Sequence, residues 1–393
     1  MIYRFPQRHL QEYDVYVHYD CDGYFASVEE KYNPHLKDIP FVITGPREMR
    51  HSVVMSKNNV AKKAGVITGI SFRQAKQICP SLTYIVADMK KYHEQTKLIR
   101  DVALKYSEKI TPYGLDEAWL NLGNIPFKEA AQLAELIRIE VMYSLGLSAS
   151  LGVSFNRIYS KIGSDYRKPN ATTVITPDNY QEIVWPLPAS HLLFVGEQRM
   201  EILKTVGIQT IGDIAQADPM LLGKLLGKVG VDLHRYANGN DNTFKPDSDI
   251  NKSIGHTLTP PADLYSNSEV AAILYIIVTA VCGRLQKHGQ KAWRVSLHMR
   301  DNSFNKIVRQ CSFWVSTDNI NYIFNHAYKL FIDNYTWAHP LRSLGLRVEG
   351  LDRMEQLALF PYDECELCVD VDSRLQRLTR RFGPLKVDEF AIA

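Results

Sequence analysis

Apolar and polar positions along the chain fall into short strand-like runs separated by helix-like stretches. Residues 15–20 (VYVHYD) are β-branched and aromatic and read as a strand; a helix begins by residue 26, beyond a turn that contains Gly23. Residues 40–44 (PFVIT) and 51–55 (HSVVM) read as further strands. A helix follows over residues 57–64, closed by Gly65, and a second short one over residues 72–78 stops before Pro80. Residues 88–110 carry a long amphipathic helical pattern, and residues 115–122 are an apolar strand interrupted by two acids. Residues 127–144 are helical again, with Leu133, Leu136, Ile137 and Val141 on one face. Strands at 147–153 and 172–175 flank one more helix. Strands mixed with helices around an antiparallel core predict an α+β domain.

From residue 178 to about 242 the pattern changes to short helices punctuated by glycine, as in FVGEQRMEILKTVGIQTIGDIA and LLGKLLGKVG. Residues 244–251 (FKPDSDIN) are polar, contain a proline and read as a linker. Residues 252–351 then predict a separate α+β unit. Within it residues 268–288 form a long helix with an N-cap serine. Residues 293–300 alternate: Trp293, Val295, Leu297 and Met299 face one way, Arg294, Ser296, His298 and Arg300 the other. With Lys306 and Arg309 on the next predicted strand, the exposed face is basic and suits a sheet that tracks phosphates.

Composition narrows the class. At 393 residues the chain holds several domains, and 45% hydrophobic content is enough for buried cores. No apolar run reads as long enough to span a bilayer, and MIYRFPQRHLQEYD lacks the apolar centre of a signal peptide, so a cytoplasmic protein with no membrane partner is expected. Of six cysteines only Cys365 and Cys368 form a CxxC; without a second pair they read as reduced thiols. A net charge of +3 does not by itself announce nucleic-acid binding. The chemistry lies in three acids. Asp20 stands where a strand ends, and Asp116 and Glu117 interrupt an apolar strand, where carboxylates are costly to bury unless something pairs them. Three carboxylates from two strands could share a divalent cation, and hard oxygen ligands suit Mg²⁺ or Mn²⁺.

The flanking residues make the pattern specific. YDCDGYFASVEE (residues 19–30) resembles the first motif of the Y-family DNA polymerases, the translesion group, and GLDEAWL (114–120) resembles their second acidic motif. GVSFNRIYSKIGSDYRKPN (152–170) matches a long palm motif, with Gly152, Asn156, Lys161, Lys168, Pro169 and Asn170 in place. The resemblance implies a right-hand polymerase: an α+β palm over residues 1–45 and 84–177, small fingers over 46–83, a helical helix-hairpin-helix thumb over 178–243, a linker over 244–251 and an α+β little finger over 252–351. Gly196-Glu197-Gln198 is a degraded hairpin; such hairpins donate backbone N–H groups to DNA phosphates without reading base identity. The tail, 352–393, carries Gln356-Leu357-Ala358-Leu359-Phe360, similar to the peptide by which bacterial polymerases grip the sliding clamp, and then a predicted amphipathic helix.

By the same resemblance, Asp20 and Asp116 bridge two metal ions, Glu117 completes the hydroxyl side and the backbone carbonyl of Cys21 joins the nucleotide side. Asp22 is expected to cap the following helix. Phe25 falls at the steric gate beneath the sugar. Tyr24 reads as a core aromatic, although its place beside Phe25 also puts it among residues around the triphosphate. Lys161 matches the palm lysine on the triphosphate. In the fingers Asn59 and Lys62 stand where the family commonly has a tyrosine and an arginine, and lysine supplies a point charge rather than a bidentate fork. Gly114 replaces a common serine, and Val53 and Met55 align with residues over the nascent base pair. The expected partners are primer–template DNA, a dNTP and the clamp, with the chain a monomer. The activity implied is template-directed addition of dNTPs to a primer 3′-hydroxyl, in translesion synthesis and repair. The alternative is a non-catalytic DNA- and clamp-binding scaffold, which has no reason to retain buried acids. A nucleotide cyclase, which also pairs acids on a palm, would lack the thumb and little finger and would carry a GG(D/E)EF stretch.

Overall fold

The structure is a computed structural model that describes residues 13–45, 52–241 and 252–352. These form two compact units, the second built mainly of residues 252–352. The linker and tail expectations, the clamp-like peptide and Cys365/Cys368 lie outside the described residues.

The first unit runs β1 (Tyr16–Cys21), α1 (Tyr24–Tyr32), β2 (Phe41–Thr44), β3 (Val54–Lys57), α2 (Asn59–Lys63), α3 (Phe72–Ile78), β4 (Thr83–Val86), α4 (Met89–Leu104), β5 (Ile110–Pro112), β6 (Glu117–Asn121), α5 (Phe127–Leu145), β7 (Ala149–Ser154), α6 (Arg157–Tyr166) and β8 (Thr172–Ile175). A five-stranded sheet has the order β5-β6-β1-β7-β8, with β1 central between antiparallel β6 and β7. A smaller sheet, β3-β2-β4, stands on its own core of Val42, Val54, Ala61, Val66, Ala75 and Leu82. Helix α6 lies directly on β7: a Cβ at Gly152 would come within 1.9 Å of the Ser160 carbonyl, so only glycine permits this approach. That packing carries Lys161 up to the end of β1.

Several boundaries differ from the sequence reading. The long helix ends at Leu104, not at 110: Ser107 Oγ donates to Asn121 O at 2.7 Å and accepts from Lys109 N, turning the chain into β5. Lys57 belongs to β3, because Asn58 caps α2 by accepting from Ala61 N at 2.9 Å. On α5, Leu133, Ile137 and Val141 are buried, but Leu136 is exposed; the seam runs through Ala130 and Ala134 instead, one turn apart at i, i+4.

Helices α7 (Tyr180–Val184), α8 (Glu197–Thr205), α9 (Ile211–Gln216), α10 (Pro219–Leu226) and α11 (Lys228–Ala237) follow in the same unit. Gly207 and Gly227 take positive φ in the turns between them, and a Cβ on Gly230 would strike Leu222 O at 2.0 Å, so α10 and α11 cross at backbone contact.

The second unit contains β9 (Ser253–Leu258), α12 (Asn267–Lys287), β10 (Lys291–Asp301), β11 (Lys306–Thr317), α13 (Ile320–Asn334) and β12 (Leu341–Asp352). Its sheet has the order β11-β10-β12-β9, with α12 and α13 packed on one face. The cap of α12 is Ser266, whose Oγ accepts from Glu269 N. Contrary to the sequence reading, α12 is long and apolar enough to cross a membrane. Here it is the core helix, with Val270, Ile273, Leu274, Ile277, Val278, Val281 and Leu285 buried.

Candidate active site

The central strand delivers the first acid. Asp20 lies opposite Glu117 in the β1/β6 ladder, and Cys21 N donates to Asp116 O at 3.0 Å, so the strand ends that carry the three acids are tied together. Side chains alternate along a strand, so His18 shares the face of Asp20 and Glu117. Its ring is fully buried against Trp119, with Nδ1 2.8 Å from Ser164 Oγ and Nε2 3.4 Å from Glu117 Oε2.

Charge in the site is crowded. Burial, together with the neighbouring Asp20 and Glu117, holds the Asp116 carboxyl up at about 6. Burial also disfavours the Glu117 carboxylate, but His18 and Lys161 outweigh it and bring that group down to about 2. Lys161 reaches in from α6, its Nζ 3.1 Å from Asp20 Oδ2 and 2.5 Å from Glu117 Oε2. Lys168 arrives from the loop after α6, its Nζ 2.8 Å from Asp20 Oδ2 and 2.7 Å from Asp165 Oδ1. Burial works against both ammonium groups, yet the surrounding carboxylates raise their pKa values. The Cys21 thiol is buried and pushed well up, so its side chain is inert.

Among the described residues no three carboxylates or imidazoles already stand together as a closed metal-ligand set. Two lysine ammonium groups bind Asp20 instead, and one of them binds Glu117. Hard carboxylate oxygens that repel one another and draw in whatever cations are present fit a divalent ion of the magnesium class. Gly114 leaves these side chains room: a Cβ there would stand 3.3 Å from Asp116 Oδ1 and Glu117 Cγ.

Beside the acids opens a cleft of about 600 Å³, lined by Asp22, Gly23, Met55, Lys57, Asn59, Lys62 and Lys168 among others. Asn59 and Lys62 are exposed, one helical turn apart on α2. Lys161 is not part of this lining; it lies deeper, among the acids. Of the two lysines in the palm motif, Lys168 is the one that lines the cleft, a position that the motif contained but that the sequence reading did not single out. Val53 and Met55 are both exposed by two fifths, and Met55 lines the cleft.

Two expectations are corrected. Tyr24 cannot offer its hydroxyl to a triphosphate: the ring is buried, and Oη donates to Tyr92 O at 2.6 Å and lies 2.9 Å from Thr96 Oγ1. Asp22 does not cap α1, whose N-cap is Gly23 with no side-chain bond. The Asp22 carboxylate accepts from Ser150 Oγ at 2.8 Å and from Asn170 N at 2.9 Å, and so anchors the loop that carries Lys168. Phe25 is partly buried, its ring centroid 4.6 Å from that of Tyr92 and 5.5 Å from that of Tyr24.

In the second unit the open face of the sheet gathers part of the expected basic set. Arg294 pairs with Ser312, His298 with Val308 and Arg300 with Lys306 across β10 and β11, so these four basic residues share one face. Arg309 does not join them. It stands opposite buried Leu297, on the helix-covered face, and its Nε donates to Asn334 Oδ1 at 2.8 Å. A bulge between Ala292 and Arg294 also breaks the alternation, so Ala292 is fully buried and Trp293 only partly so.

Residues 19–165 match the impB/mucB/samB family, and residues 251–359 match the C-terminal domain of that family. Among solved structures, a Y-family DNA polymerase chimera of Dbh and Dpo4 superposes with a TM-score of 0.76 at 24% identity, covering 86% of this chain and 99% of that one. The insertion ternary complex of Dbh DNA polymerase gives a TM-score of 0.61, also at 24% identity, over 85% of this chain and 98% of that one. That likeness defines the fold class as the α+β right hand of the Y-family polymerases. The DNA polymerase IV of Acetivibrio thermocellus is 35% identical over 378 residues, 94% of this chain and 95% of that protein. The DNA polymerase IV of Streptococcus sanguinis is 32% identical over 340 residues, 86% of this chain and 96% of that protein. The chain belongs to the Y-family DNA polymerases and is a template-directed translesion DNA polymerase.

Proposed function

We propose that the chain adds dNTPs to a primer 3′-hydroxyl at the end of β1, with Asp20, Asp116 and Glu117 as the catalytic acids. The observation that carries this reading is the ladder position of Asp20 opposite Glu117, with Asp116 tied to Cys21 by the backbone. The three carboxylates and the Cys21 carbonyl would hold two magnesium ions, or manganese in their place, which supply charge neutralisation and a lowered pKa for the attacking hydroxyl. Lys161 balances Asp20 and Glu117 from within the site. Lys168, Lys62 and Asn59 line the cleft that would take the triphosphate, and Asp22 positions Lys168 through Asn170. Phe25, whose ring packs on Tyr92, would exclude a 2′-hydroxyl, and Val53 and Met55, both exposed, would cover the nascent base pair.

In this reading residues 1–45 and 84–177 are palm, 46–83 fingers, 178–243 thumb and 252–351 little finger, whose open face brings Arg294, His298, Arg300 and Lys306 to DNA phosphates. Gln356, Leu357, Leu359 and Phe360 would grip the sliding clamp of a monomeric, cytoplasmic enzyme. Asp116→Ala in a primer-extension assay is the test: nucleotide addition is expected to be lost while primer–template affinity stays near the wild-type value. Comparable extension rates for mutant and wild type would overturn the assignment.

A further inference from the structure

The fingers carry a cation that the family pattern does not account for. Lys57 ends β3 and lines the same cleft as Lys62 and Lys168, with Met55 on the same rim. Its Nζ donates to Thr68 Oγ1 at 2.9 Å. Among the described residues neither Lys57 nor Lys62 has a carboxylate within ion-pair distance, whereas Lys161 and Lys168 are both balanced by acids. Burial and the nearby Lys62 push the Lys57 ammonium below the usual lysine range. Two ammonium groups in one cleft repel each other, and an anion bound between them relieves that repulsion. Phosphate oxygens are the anions that this cleft is built to take, if the reading of it as the nucleotide site holds.

The chemistry of α2 supplies the reason for a second cation. Lys62 occupies a position where the resemblance leads one to expect arginine, and a single ammonium cannot make the parallel pair of hydrogen bonds that a guanidinium makes to phosphate. The buried Asn58 fixes the junction between the two lysines: its Oδ1 accepts from Phe41 N and Ala61 N, and its Nδ2 donates to Leu36 O and Ile39 O. Lys57 and Lys62 therefore project from a rigid bend rather than from a mobile loop.

We propose that Lys57 is a phosphate ligand of the incoming nucleotide, sharing with Lys62 the charge that one arginine fork would otherwise provide. The inference rests on the triphosphate reading of the cleft, and the experiment separates the two. Single-nucleotide insertion by the full chain on a primer–template would be measured for Lys57→Gln, Lys57→Arg and, as a control on the cleft itself, Lys168→Gln. For Lys57→Gln the KM for dNTP is expected to rise about tenfold, with kcat falling much less, and inhibition by pyrophosphate to weaken by a similar factor. Lys57→Arg should recover most of the loss, because a guanidinium restores charge at the same place. If Lys168→Gln weakens nucleotide binding and Lys57→Gln does not, Lys57 is no ligand and the cleft reading stands. If neither variant changes KM or pyrophosphate inhibition, the cleft reading falls with it. A lowered Tm with equal loss of kcat and nucleotide affinity, or a loss confined to primer–template affinity, would likewise overturn the proposal.

Discussion

Around Asp20 the placement of single protons and single rings sets the chemistry. Asp116 has its carboxyl held near 6, well above the unfolded value of 3.8. A group whose folded pKa is raised contributes stability that is present below the unfolded pKa and lost as pH rises through the folded one. In metal-free buffer the stability advantage of wild type over Asp116→Asn should therefore shrink between pH ~4 and pH ~6 and level off above it; Tm measured against pH for both proteins checks this. Phe25 gives a second outcome at this scale. Its ring is held by Tyr92 at 4.6 Å, and an apolar face beneath a sugar offers a 2′-hydroxyl no hydrogen bond as well as no room. Phe25→Ala is expected to lower the dNTP/rNTP ratio of kcat/KM by at least about 100-fold, more than its loss in dNTP use. An unchanged ratio with a lower Tm would make Phe25 a core residue only. His18 shows what a residue-by-residue reading missed. It lies two positions before Asp20 on the same strand face, a period-two signal present in the sequence, but its bond to Ser164 spans 146 residues.

At the scale of elements, strand register decides which cations are available. Alternation along β10 is enough to place Arg294, His298 and Arg300 on one face. The partner strand was harder, because one residue of register moves a side chain to the other face. Lys306 pairs with Arg300 and joins the open face; Arg309 pairs with Leu297 and turns toward α13. Each phosphate contact adds about 0.9 to the slope of log affinity against log salt for duplex DNA. Arg294→Ala should reduce that slope by about this amount, and Arg309→Ala should leave it in place; equilibrium binding to a primer–template across a salt series distinguishes them. Helix ends followed the same division. The span of α3 was legible to the residue, since its serine capping box and the proline beyond it are local signals. The end of α4 was not, because Ser107 closes that helix by bonding to Asn121 on β6.

At the scale of the whole molecule, the proposed catalytic site and the proposed clamp peptide separate along the chain. The acids and the cleft lie within residues 13–241, whereas the QLALF peptide, residues 356–360, comes later in the sequence and lies outside the described residues. Deleting it should leave primer extension by the free enzyme as it is and abolish stimulation by the sliding clamp, since Leu359 and Phe360 are the large apolar anchors of the kind that dominate pocket binding. Equal stimulation of the truncated and intact proteins would sink that assignment.

The sequence alone determined the α+β class and the polymerase family, and it singled out three acids on two strands, because these depend on local patterns: alternation, capping residues and motifs of a few contiguous positions. It also determined that α2 offers Asn59 and Lys62 together, one turn apart. Only the tertiary structure decided that Lys168 rather than Lys161 faces the cleft, that Asp22 holds the loop of Lys168 instead of capping a helix, that Tyr24 spends its hydroxyl inside the core, and that Arg309 leaves the basic face. Each of these turns on a contact between groups distant in the chain. Hydrogen bonds and ion pairs of a few ångströms are set by how β1, β7 and α6 pack, and no periodicity in a linear pattern encodes which of two nearby lysines reaches farther in.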